Sequence, residues 1–132
     1  MKTITIWKTG QAFDSFKDHS KIEIDGKGGF NPKALLLSGL AGCSGIDVVE
    51  VLEKMRVPFA NLTIEVETDQ TMEHPRVFRD IHMNFIITTA EENRDKVKKA
   101  IDLSLEKYCG VSAMLKKNSK IDYTITIQPE SE

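Results

Sequence analysis

The chain has 132 residues, enough for one domain with a real core and too few for two independent ones. Hydrophobic residues make up 40% and charged residues 29%, and 18 basic against 20 acidic side chains leave a formal net charge of −2. That balance offers no broad electrostatic attraction for nucleic acid or for an acidic membrane, so neither is expected as a partner.

The opening "MKTITIWKTG" lacks the apolar run and small-residue cleavage site of a signal peptide. No stretch is expected to supply the ~20 apolar residues that span a bilayer. A cytoplasmic location is the expectation that follows, and there a lasting structural disulfide is uncommon.

Alternation in the first thirty residues marks three short strands: Ile4 and Ile6 with their polar neighbours, Ala12 to Lys17, and Ile22 with Ile24. Turns fall at Thr9-Gly10 and at Asp18 to Ser20, and "DGKGGFNP" reads as a loop. Asn31-Pro32 is a strong helix start, because Asn caps free amides and proline at the first helical position loses no needed hydrogen bond. The helix should run from Lys33 to about Arg56, where Pro58 forbids continuation. It is apolar almost all round from Ala34 to Cys43, which calls for a central position.

Two strands follow, one on Leu62, Ile64 and Val66 and one on Ile81, Met83, Phe85 and Ile87, joined across "DQTMEHPRV" as a hairpin. Thr89 with Glu92 has the spacing of a capping box, and Val97, Ile101, Leu105 and Tyr108 share one face of the helix behind it. Gly110 should end or kink that helix just beyond Cys109. Ser112 to Lys117 can form a short further helix, and Ile121, Tyr123, Ile125 and Ile127 a last strand. The order is βββ-α-ββ-α-α-β, an α+β chain of one domain.

Cys43 stands in "SGLAGCSGIDVVE", on a helical face shared with Leu36, Leu40, Asp47, Glu50 and Lys54. The adjoining face carries Ser38, Gly39, Gly42, Gly45, Ile46 and Val49, small enough at its start for another backbone to come close. With one long helix in the chain, the partner there is expected to be the same helix of a second copy. Free cysteines are usually buried and inert, and Asp47 would oppose a thiolate, so a reactive Cys43 requires a compensating cation. Cys109 is open to the same bland reading. No C-x-x-C pair, H-E-x-x-H spacing, phosphate loop or G-x-S-x-G elbow is present, and His19, His74 and His82 are scattered, so neither a metal nor a cofactor is expected. Lys96, Lys98, Lys99 and Lys107 alternate with acids and read as a solvated face.

"NPKALLLSGLAGCSG" at 31 to 45 and "YCGVSAML" at 108 to 115 resemble the two cysteine motifs of the OsmC/Ohr superfamily, the osmotically induced and organic-hydroperoxide-resistance proteins. The strand pair between them and the last strand resemble it too, so the likeness covers nearly the whole chain. It implies an intertwined homodimer with long central helices wrapped by antiparallel sheets. It further implies that Cys43 attacks an organic hydroperoxide and becomes a sulfenic acid, that Cys109 condenses with it to a disulfide, and that a dithiol partner reduces the pair.

Three positions depart from the family pattern. Lys33 stands where a glutamate usually follows Asn-Pro, no arginine precedes Arg56, and Gly110 replaces a common proline. Lys33, Lys17, Lys21 or His19 could supply the missing cation, with Asp47 and Glu50 as further supporting residues. The competing expectation is a non-peroxidatic relative that binds a small hydrophobic ligand at the dimer interface and keeps both cysteines as core.

Overall fold

A computed structural model of the chain describes residues 1–130. They form two compact units, Met1–Ser38 and the residues from Gly39 onward, with a long helix running through the boundary.

The first unit is an antiparallel meander of β1 (Ile4–Thr9), β2 (Ala12–Lys17) and β3 (Ser20–Asp25), as the alternation anticipates. Gly10 and Asp18 turn the chain at positive φ, and the Trp7 indole donates to the Gly10 carbonyl at 2.9 Å, closing the first hairpin. Trp7, Phe13 and Ile24 form one cross-strand row, and Trp7 and Ile22 remain exposed on that face. Helix α1 (Pro32–Lys54) starts where expected, with the Asn31 side chain accepting the Ala34 N–H at 2.8 Å. It stops two residues early, Arg56 taking the left-handed conformation that turns the chain away.

In the second unit β4 (Leu62–Gln70), β5 (Phe78–Thr88) and β6 (Lys120–Gln128) make a sheet with β5 in the middle. β4 pairs with β5 antiparallel, but β6 pairs with β5 parallel. The expectation of purely antiparallel sheets is therefore corrected: this sheet is mixed. The physical reason lies in the connection. Between β5 and β6 the chain makes a 3₁₀ turn (Glu91–Asn93), α2 (Arg94–Leu103), a π-helical turn (Ser104–Tyr108) and α3 (Gly110–Leu115), and a helical crossover of that length delivers a parallel neighbour.

Register places Leu62, Ile64 and Val66 opposite Ile87, Phe85 and Met83, which in turn face Ile127, Ile125 and Tyr123. This apolar face packs with Val97, Ala100 and Ile101 of α2 and with Leu40, Val48 and Leu52 of α1 into the buried core, where each fully buried aliphatic side chain stabilises by about 1.5–3 kcal/mol. The opposite face is polar, with His82 flanked in one row by Glu67 and Asp122.

Two further expectations need correction. The capping box does not form, because the Thr89 hydroxyl donates to the Pro58 carbonyl at 2.7 Å and accepts from Asn93 at 3.0 Å. And α1 contains an 18-residue window of mean hydropathy 1.7, long and apolar enough by itself to cross a membrane. Its Leu40, Ser44, Val48 and Leu52 are fully buried at i, i+4 spacing, so here that apolar stripe serves as core.

Candidate functional site

Cys43 lies in the middle of α1 and is half-buried, while the next residue, Ser44, is fully buried. Of the four positions one turn away on the helix, Gly39, Leu40, Ile46 and Asp47, the aspartate alone is charged.

Cys109 arrives from the other side of the core. The Cys109 N–H donates to the Ser104 carbonyl at 2.7 Å, an i→i+5 bond that widens the last turn behind α2. The chain then becomes extended at Cys109 (φ −78°, ψ 103°), which caps α3: its sulfur accepts the Ser112 N–H at 3.3 Å. Ser112 Oγ lies 3.0 Å from the Cys109 carbonyl and 3.3 Å from that of Leu105, and the Lys116 ammonium donates to the Leu105 carbonyl. These bonds occupy carbonyls that a widened helix end leaves open.

Together these elements bring the two cysteines near each other, both as free thiols. Cys109 is only 3% exposed. Burial pushes its thiol above the usual range, and the neighbouring Cys43 thiol adds to that, against the opposing Ser112 N–H. Cys109 is therefore a protonated thiol at neutral pH, and the half-buried Cys43 is the sulfur that an outside reagent meets first.

A hydroxyl network backs the pair. Ser104, fully buried, has its Oγ 3.1 Å from Ser44 Oγ and donates to Asp47 Oδ2 at 2.9 Å. Beyond Asp47 a cleft of about 490 Å³ runs along α1, lined by Asp47, Glu50 and Lys54 together with Leu103 and Tyr108. On another side of the helix an open apolar groove of about 560 Å³ lies between Gly42, Gly45 and Ile46 of α1 and Leu62 and Ile64 of β4.

Of the residues singled out in the sequence, Cys43, Cys109 and Asp47 converge, and Glu50 lines the cleft two turns beyond Cys43. Lys33 is exposed in the first turn of α1, ten residues or about 15 Å of helix axis before Cys43. His19 is exposed in the β2–β3 turn. Sequence reasoning missed Ser104, Ser112 and Lys116. Ser104 carried one usable signal: it is a hydroxyl on the apolar stripe of Val97 and Ile101, where a buried polar group requires partners. The π-helical turn also corrects the placement of Tyr108, which leaves the face of Val97, Ile101 and Leu105 and stands 53% exposed.

The geometry agrees with comparisons to known proteins. The family model for OsmC-like proteins matches residues 24–124. Protein YhfA of Escherichia coli K12 is 34% identical over 126 residues, covering 92% of this chain and 93% of its own. A solved protein from Aquifex aeolicus VF5 superposes with a TM-score of 0.89 at 26% identity over 98% of this chain and 97% of its own. The organic hydroperoxide resistance protein OhrB of Bacillus subtilis superposes at 0.66 and 19% identity, covering 95% of this chain and 96% of its own, a likeness of fold. On the family match and the extent of the YhfA likeness, this chain is a member of the OsmC-like family.

Proposed function

We propose that this chain is a thiol-dependent peroxidase that reduces organic hydroperoxides through Cys43 and Cys109. The observation that carries the reading is the meeting of two free thiols, one reachable and one buried and protonated. The Cys43 thiolate attacks the terminal oxygen of ROOH, the O–O bond breaks, and the departing alkoxide takes a proton to leave as ROH. Cys43 is then a sulfenic acid. Cys109 loses its proton, its sulfur attacks Cys43, the S–S bond forms and water departs. An external dithiol returns both thiols by exchange. Burial of Cys109 shields it from direct oxidation and reserves it for the second step.

In this reading the chain works as a homodimer in the cytoplasm, where dithiol reductants are at hand. Ile46 is 64% exposed on a helix, and a Cβ added at Gly39 or Gly42 would meet nothing within 4 Å, which leaves that face open for the same helix of a second copy. In this reading Asp47 and Glu50 set the charge of the cleft beside Cys43.

The test is consumption of cumene hydroperoxide with a dithiol reductant. Wild type should turn over repeatedly, Cys109→Ser should stall with Cys43 oxidised, and Cys43→Ser should be inert. Equal rates for wild type and Cys43→Ser would sink the proposal. They would favour the second reading, that the groove beside Gly42 and Ile64 holds a small apolar ligand and the cysteines are core; the groove's apolar lining is what supports it.

A further inference from the structure

Among the described residues, Ser104 is the one fully buried residue that bonds by its side chain to the helix of Cys43 and by its backbone to Cys109. Its hydroxyl has a single proton for two neighbours, Asp47 Oδ2 at 2.9 Å and Ser44 Oγ at 3.1 Å. The carboxylate is the stronger acceptor, so Ser104 donates to Asp47 first, with Ser44 as its alternative acceptor. Both α1 partners follow Cys43 closely: Ser44 is the next residue and Asp47 is one turn on. The Ser104 carbonyl, meanwhile, accepts the Cys109 N–H at 2.7 Å.

The π-helical turn gives that second bond its consequence. In a regular α-helix the residue five on from Ser104 would point about 140° away from it. The wider i→i+5 turn brings Cys109 back toward the side on which Ser104 meets α1. Side chain and carbonyl of one residue thus tie together the two segments that carry the sulfurs.

We infer that Ser104 is a positioning residue that holds Cys109 beside Cys43 and so sets how readily their disulfide forms. The inference rests on the reading that the two cysteines work as a redox pair. It asks more than that reading does, because it assigns the geometry of the pair to a residue with no part in the chemistry.

The test is the thiol–disulfide equilibrium of the full chain in glutathione buffers, with no hydroperoxide present, so that its outcome does not depend on peroxidase turnover. Glutathione disulfide supplies the oxidising equivalents: two Cys thiols give one protein disulfide and two glutathione thiols. Ser104→Ala should make the Cys43–Cys109 disulfide about tenfold easier to reduce, a shift of roughly 30 mV. Asp47→Asn keeps an oxygen that accepts from Ser104 and should stay within about threefold of wild type. The control is Ser119→Ala, a buried serine bonded at 3.0 Å to the Phe78 carbonyl, whose loss costs stability elsewhere and should leave the equilibrium within twofold.

A folded Ser104→Ala protein with the wild-type potential overturns the inference, and so does a Ser119→Ala shift of the same size. Should Ser104→Ala not fold, Asp47→Ala removes the stronger of the same two side-chain bonds from the half-buried side. It must then shift the equilibrium in the same direction, and no shift overturns the inference. A wild-type pair that stays reduced in every buffer overturns it together with the redox pair. A pair that forms its disulfide yet consumes no hydroperoxide defeats the peroxidase reading alone.

Discussion

Ile46 is the most direct probe of the proposed helix-to-helix dimer. It stands 64% exposed in the single chain, beside an apolar groove and on the glycine-bearing face of α1. Fully burying an isoleucine is worth about 1.5–3 kcal/mol, so covering the exposed 64% in a dimer contributes about 1–2 kcal/mol per copy. A two-fold contact counts it twice, about 2–4 kcal/mol. Ile46→Ala removes most of that and should weaken the dimer by roughly 30- to 1,000-fold in Kd. Because Ile46 contributes little to the core of its own chain, circular dichroism of the variant should be unchanged. Sedimentation equilibrium over a concentration series reads the Kd directly. A variant that dimerises as tightly as wild type, or a wild type that stays monomeric at high micromolar concentration, would refute the reasoning.

Two further outcomes follow from ionisable groups. Burial alone would raise the Asp102 carboxyl, but hydrogen bonds from the Lys98 ammonium (2.6 Å) and the Tyr123 hydroxyl outweigh it and hold the group below the ordinary carboxylate range. A depressed folded-state pKa stabilises above the unfolded value and is lost as pH falls through the folded one, so urea denaturation should show stability dropping below about pH 4. Asp102→Asn should flatten that acid limb, and an unchanged limb would count against the assignment. Cys109, raised by its burial, should resist iodoacetamide at pH 8 while Cys43 is alkylated, as peptide mapping would show. Faster labelling of Cys109 would contradict the division of roles.

Strands were legible wherever one face is apolar and the other polar. Alternation along Ile121, Tyr123, Ile125 and Ile127 announced β6 but not its direction, because a period of two is the same read either way. The helix start at Asn31-Pro32 is a local event fixed by one side chain, and it was legible. The box at Thr89 was not, because its hydroxyl found a partner 31 residues away in Pro58.

At the site, no local rule joins Cys43 to Cys109 across the whole β4–β5 hairpin and α2; the family resemblance alone suggested that they meet. Ser104 escaped notice for a related reason. A helical period carried on from Val97 puts Tyr108 on the buried face, whereas the extra residue in the π-helical turn rotates Tyr108 outward and Cys109 inward. A one-residue change of helical register leaves no mark in the pattern of apolar residues. The turn coincides with a buried serine bonded to a second helix.

The central claim is that Cys43 and Cys109 act as one redox pair. Mass spectrometry of the folded protein after one equivalent of cumene hydroperoxide tests it most directly. The account predicts the loss of two hydrogens from the intact chain, with a Cys43–Cys109 cross-link in the non-reduced peptide map. A chain that keeps both thiols free while the hydroperoxide persists would contradict it.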